Sequence, residues 1–273
     1  MLEEITTLDP LELLRADLRR AAATLTPSEV RYLVDYYYEI QEGRKRADNQ
    51  MRDLLGAGEP HQVIQWLSKN TGRFEGNIKL ALGAFSQASP VGVWAESIVG
   101  IGPIISAGLL AHIDIEKAPT VGHIWRFAGL DPTDEWNKGE KRPWNARLKV
   151  LCWKVGESFV KVSGNPQDFY GHLYLERKVY EQKRNDAGEL AEQAAEKLRR
   201  FKIGKDTEAF TWYSQGKLPP AHIHARAKRW AVKLFLAGWQ HVAYEVKFGK
   251  CPPKPYILTQ PTHSHEIAVP NWH

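Results

Sequence analysis

Between positions 91 and 113 the chain carries a single charged residue, Glu96, and Gly100, Ile101, Gly102 and Pro103 stand in the middle of that apolar run. An unbroken run of this length would suit one membrane-crossing helix. Two glycines and a proline at its centre forbid that, because glycine gives up the most freedom in a helix and proline lacks the N–H the helix needs. No second apolar run exists, so a membrane span is not expected. Two short helices remain, 93–98 and 103–113, with Pro103 at the first helical position of the second. One reading is a buried helical hairpin whose glycines only permit close packing.

The turn has another consequence. It lets the backbone approach a partner closely and leaves unpaired N–H groups at a helix N-terminus, a natural seat for a phosphate. That is the helix-hairpin-helix pattern, which grips the DNA backbone without reading bases. Gly100, Ile101 and Gly102 are therefore the first candidates for DNA contact.

The rest of the chain reads as helices, and an all-α fold is expected. A short helix spans 11–23. Thr26, Pro27 and Glu29 form a capping box with proline at the first helical position. Beyond it, apolar residues recur three and four apart at Val30, Leu33, Tyr37, Ile40, Ala47, Met51 and Leu54, with Arg44 the polar intruder. Gly56, Gly58 and Pro60 break the pattern, which resumes at Ile64, Leu67, Thr71, Phe74, Ile78, Ala81 and Phe85. Two helices of nearly equal length read as a long N-terminal helical hairpin, packed either as a coiled-coil-like arm or as part of a plain bundle. Further helices follow at 120–128, from Asn145 onward, at 167–185, 189–201 and 206–215, and from 218 to about 246. The expected organisation is a hairpin arm over 1–90, a helix-hairpin-helix module over 91–163, and a C-terminal helical region over 164–273 ending in a proline-rich, extended tail.

The central stretch resembles a known family. Gly100, Gly102 and Pro103, a helix ending near His112, and then Trp125, Arg126, Phe127, Ala128, Gly129, Leu130 and Pro132 are similar to the C-terminal domain of the bridge-RNA insertion-sequence transposases of the IS-one-ten type. The resemblance implies a Lys/Arg-rich loop and a basic helix after this element, which Lys138, Lys141, Arg142, Asn145, Arg147 and Lys149 provide. It also implies a coiled coil through which chains pair. The family's RuvC-like nuclease domain needs strands and spaced acidic residues, and this sequence shows neither. The family's serine nucleophile lies in the loop after Ala-Gly-Leu-x-Pro, and positions 131–145 contain no serine. Strand-transfer chemistry is thus not expected, whereas DNA contact is.

Charge supports an anionic partner. The chain of 273 residues has a net charge of +5 and a pI near 9.0, a modest bias. Its distribution is more telling: from Ala209 to Tyr244 there is no acidic residue. His222, Arg226, Arg229 and Lys233 follow one another four, three and four positions apart, so they share a helix face. Such a stripe is either a solvated face or a run of phosphate contacts, and the contacts would be indifferent to sequence.

Other chemistry is weakly signalled. Cys152 and Cys251 are the only cysteines. Cys152 sits on an apolar helix face, so no disulfide is expected and a cytoplasmic setting follows. His263 and His265 in the tail could meet a metal with Cys251, but the spacing fits no zinc template, so neither metal nor cofactor is expected. Mg2+ would enter only for a two-metal nuclease or transferase, with Asp114, Asp131, Asp134, Glu135 and Glu157 the available carboxylates. The leading expectation is a DNA-binding protein of a phage or mobile element, acting on duplex, branched or distorted DNA. The alternatives are a diverged strand transferase, nuclease or base-modifying enzyme, and a helical protein-interaction scaffold.

Overall fold

Thr26 starts the first long helix in the way its sequence demands. Its N–H and hydroxyl donate to Glu29 Oε2 at 2.7 and 2.8 Å, and the Glu29 N–H donates to Thr26 Oγ1 at 3.3 Å, so the capping box is closed from both sides. The computed structural model describes residues 11–56, 62–254 and 267–272. Among these, all regular structure is helical, and there is no strand. The helices are α1 (Ala16–Ala21), α2 (Pro27–Gly56), α3 (Gln62–Gln87), α4 (Pro90–Ser97), α5 (Pro103–His112), α6 (Val121–Phe127), α7 (Ala146–Val162), α8 (Phe169–Asp186), α9 (Ala191–Arg200), α10 (Glu208–Ser214) and α11 (Pro220–Phe248). The first is shorter than the 11–23 pattern suggests and passes into a 3-10 turn, Ala22–Thr24. No described helix is long and apolar enough to cross a membrane.

The chain forms two units, Met1–Glu96 with Gly102–Asp114, and Ser97–Ile101 with Ile115–His273. In the first, Val30, Val34 and Tyr37 of α2 share a core with Ile78 and Leu82 of α3 and with Ile104, Ala107 and Ala111 of α5. Arg44, the polar intruder in the α2 pattern, reaches buried Glu75 of α3 and, at 2.7 Å, Asp48. Further along, burial fades: Ala47 is exposed, as are Ile64, Leu67 and Phe74. The apolar run of the sequence is mostly interior. Trp94 and Ala95 of α4 are buried, as are most of α5's residues. Close approach is enforced at Gly92, where a Cβ would lie 2.0 Å from the Ser86 carbonyl oxygen. Ser86 Oγ donates to Ser106 Oγ at 2.7 Å inside the same contact.

The second unit is organised by α11, whose buried face includes Ile223, Ala227, Ala231, Phe235 and Trp239. Phe159 of α7, Tyr170 of α8 and Phe235 of α11 meet as a ring triad, with centroid separations of 5.2, 5.5 and 5.4 Å. Asn185, at the end of α8, exchanges two hydrogen bonds with the Leu218 backbone at 2.8 and 2.9 Å, fixing where α11 begins.

Glu181 is a buried charge in this core. It is 1% exposed, and Arg177, Arg226 and Arg184 reach it at 2.6, 3.0 and 3.6 Å. Burial alone would raise its pKa, but hydrogen bonds from Arg226 and Arg177 outweigh that and hold it below the ordinary glutamate value. A lowered folded pKa means that its stabilisation is present above the unfolded value and is lost as pH falls through the folded one. Glu181→Ala leaves Arg177 and Arg226 without their carboxylate, while Arg184 keeps Glu189 at 2.7 Å, and should lower stability by about 3–5 kcal/mol at neutral pH. Urea unfolding followed by circular dichroism reads this; a loss below about 1 kcal/mol would mean the network is solvated.

Candidate nucleic-acid interface

The polar loop after Ala-Gly-Leu is a closed structure pinned at its neck. Gly129 ends α6 with φ +64, and a Cβ there would lie 2.7 Å from the Trp144 ring, so the indole lies flat against this glycine. The Leu130 N–H donates to the Trp125 carbonyl at 2.8 Å and the Asn145 N–H to the Phe127 carbonyl at 2.9 Å. Entry and exit of loop 131–144 therefore sit together at the end of α6, as in a compact surface loop. At its tip, Trp136 Nε1 donates to the Glu140 carbonyl at 2.8 Å, and the Glu140 carboxylate receives the Asn137 backbone and side-chain N–H groups. Trp136 and Trp144 meet edge to face, with centroids 6.4 Å apart.

Cations dress these rings. The Arg142 guanidinium lies 4.6 Å from the Trp136 centroid, Lys149 Nζ lies 4.0 Å from Trp144, and Lys233 Nζ lies 4.5 Å from Trp125. Trp125 Nε1 also donates to the Lys233 carbonyl at 3.0 Å, which ties α6 to α11. The two basic segments of the sequence thus come together. Burial lowers the Lys149 pKa, and Arg142 and Arg229 lower it further. Arg229 is lowered by burial and by Arg226. Lys233 is lowered by burial and by Arg229, with Asp131 opposing. No described carboxylate offsets Lys149 or Arg229. Lys138 and Lys141 are exposed on the loop, and Arg147 is exposed in the first turn of α7. That turn carries no acidic residue, so the positive end of the helix dipole adds to the same potential.

Several expected contact residues have other partners. Asn145 caps α7, its Oδ1 accepting the Leu148 N–H at 3.0 Å. Arg226 donates to Glu181 at 3.0 Å and to Gln193 at 2.7 Å, so it braces α8 and α9 rather than extending the stripe. His222 lies 3.3 Å from the Tyr213 hydroxyl, and burial, with Lys197, Arg229 and Arg226 nearby, pushes its pKa down to about 4. It is neutral at physiological pH. Sequence reasoning does not single out Trp125, Trp136 and Trp144 as contact residues; the signal that could have found them is aromatic residues interleaved with the basic run.

Four of the carboxylates considered for metal chemistry are held by cations. Asp134 and Asp131 face Arg126 at 3.2 and 3.8 Å, Glu135 pairs with Arg200 at 2.7 Å, and Glu157 pairs with Lys228. His224 bonds to Tyr174 at 2.8 Å, away from the His222 partner. Cys152 is buried, which pushes its thiol up to about 12, and both cysteines are free. His263 and His265 lie outside the described residues.

The hairpin glycines differ from each other. Gly100 has φ +93, a conformation that side chains resist, and a Cβ there would lie 3.0 Å from Val162 and 3.2 Å from the Ser158 hydroxyl. The Ser158 hydroxyl donates to the Gly100 carbonyl. The Ile101 side chain is buried and its N–H donates to the Ile98 carbonyl at 2.9 Å. Gly102, with φ −102, has nothing within 4 Å of a Cβ position. It caps α5, where no side chain satisfies the first N–H groups. Lys149 and Ser158 are nine positions apart on α7, or about 14 Å along its axis, so Gly100 lies well away from the cation cluster. Gly100→Ala should cost more than about 1 kcal/mol of stability, while Gly102→Ala should stay within about 0.5 kcal/mol. Thermal unfolding of the two variants checks this, and equal losses would contradict the assignment.

Residues 94–148, from α4 through the loop to the start of α7, match the family model described as Transposase IS116/IS110/IS902 family. No curated protein and no solved structure matches the chain. The central part of the chain is thus similar to a segment of a transposase family.

Proposed function

We propose that this protein binds DNA by its phosphate backbone, as part of a phage or mobile element. The grip is the face formed by loop 131–144, the amino end of α7, and Arg229 and Lys233 of α11. One observation carries this reading: Lys149 is partly buried beside Arg142 and Arg229, and Lys233 beside Arg229, so burial first and these neighbouring cations second disfavour the charge of both lysines, with Asp131 opposing at Lys233. Such crowding costs free energy in the isolated protein and is relieved by a polyanion. Trp136, 45% exposed, offers aromatic surface on which an unpaired base can stack, which suits branched or distorted DNA. The uncapped start of α5 at Gly102 is a second phosphate seat.

Replacing Arg142, Lys149, Arg229 and Lys233 by Gln should lower the slope of log affinity against log salt by roughly 0.9 for each duplex phosphate that is no longer neutralised. The weakening should be similar for unrelated sequences, since phosphates carry no base information. An unchanged slope would overturn the assignment. Arg226→Gln, by contrast, should act on stability first.

The same reading has the α2–α3 arm pair with a second copy, supported by Ile64, Leu67 and Phe74 lying exposed on α3. Ile64→Glu combined with Leu67→Glu should convert a dimer into a monomer in sedimentation velocity. A parent protein that is already monomeric at tens of micromolar, roughly the range of a modest coiled coil, would refute pairing.

A further inference from the structure

The carboxyl end of α11 brings together three donors of different chemistry. His241 and Glu245 are four positions apart and share a helix face. The helix ends at Phe248, and Gly249 turns left-handed with φ 66 while its N–H donates to the Glu245 carbonyl at 2.8 Å. That reversal returns Cys251 over the last turn. Cys251 Sγ–H donates to Glu245 Oε1 at 3.0 Å, and His241 Nε2 lies 3.4 Å from the same oxygen. The imidazole nitrogen, the carboxylate oxygen and the sulfur all lie within 4.8 Å of one another. The other oxygen, Oε2, accepts the Trp272 Nε1–H at 2.6 Å, so the carboxylate is oriented from behind, as an outer-shell donor orients a metal ligand.

We propose that His241, Glu245 and Cys251 form a Zn2+ site, with water in the fourth position. One imidazole, one carboxylate and one thiolate are all ligands of zinc, and bond lengths of about 2.0–2.3 Å set donor separations of roughly 3.3–3.8 Å in a tetrahedron. Two of the three edges here already approach that range, and the third closes by about 1.5 Å at most. Binding breaks the Cys251 S–H bond, the thiolate sulfur bonds the metal, and the proton leaves to solvent. The metal then replaces both the thiol–carboxylate hydrogen bond and the His241–Glu245 contact. It fastens the segment around Cys251 to the end of α11, while Trp272 secures the far side of the same carboxylate. Sequence proximity pairs Cys251 with the tail histidines. His241 and Glu245 are the partners the fold supplies, because the reversal at Gly249 cannot be read from spacing.

The test uses the full chain, stripped of metal with a chelator, reduced, and titrated with Co2+ as a spectroscopic stand-in for Zn2+. One equivalent should produce a sulfur-to-cobalt charge-transfer absorption, and Zn2+ should abolish it. Cys251→Ser should remove the band, whereas Cys152→Ala should leave it, since Cys152 is buried elsewhere. His241→Ala and Glu245→Gln should each weaken Co2+ binding at least tenfold, with the helical circular dichroism unchanged. No band in the parent protein would overturn the proposal. So would a band that survives Cys251→Ser, or affinity within twofold of the parent in His241→Ala, which would mark adventitious capture by a lone thiol.

Discussion

The ring contacts among Phe159, Tyr170 and Phe235 set the geometry on which the rest of the second unit depends. They lock α7, α8 and α11 together, and each helix then delivers charge where its sequence places it. The amino end of α7 carries Arg147 and Lys149 beside the loop neck, and α11 carries Arg229 and Lys233 towards the same region. Gly156 allows this closeness, because a Cβ there would lie 2.6 Å from the Lys228 side chain. Without the aromatic core the two basic segments would be separate stretches of solvated helix, with no mutual perturbation to distinguish them from ordinary surface.

The charges of this unit fall into two classes. Arg177, Arg184 and Arg226 converge on buried Glu181 and share its carboxylate, and Arg184 also pairs with Glu189. Lys149, Arg229 and Lys233 gather without equivalent compensation, and the two lysines rest on indole faces instead. Ring contacts of this kind offset a modest part of the repulsion, and an external anion offsets more. A helix of several turns with no acid in its first turn adds a positive end. The uncompensated cations and the helix end point the same way, and that agreement, rather than net charge, is the physical case for a polyanionic partner.

Much of the fold is legible in the sequence because helix boundaries here are marked by strong local chemistry. Thr26 and Glu29 close their capping box, Asn145 caps α7, and Gly249 stops α11. Pro103 and Pro220 open their helices. Less legible are the partners of polar side chains. Arg226 looks like part of a basic stripe because Arg229 and Lys233 follow it at helical spacing, yet its carboxylate lies on α8, 45 positions earlier. His222 reads as a cation until its burial beside Tyr213 is seen. The α2 pattern picks out Leu33, Ile40 and Ala47, whereas the buried positions include Val34; a three-and-four spacing identifies a face only to within a residue. Gly100 and Gly102 look alike in sequence, and only the backbone angle at Gly100 and the nearness of Val162 separate them.

The central claim is that the loop after α6, the start of α7 and the middle of α11 form one surface for DNA. Photo-cross-linking of the full chain to duplex and branched DNA, with the linked peptides identified by mass spectrometry, tests it most directly. The account predicts cross-links concentrated at residues 131–149 and 229–233, on both kinds of DNA and irrespective of sequence. Cross-links confined to α2 and α3, with none in those two segments, would contradict it.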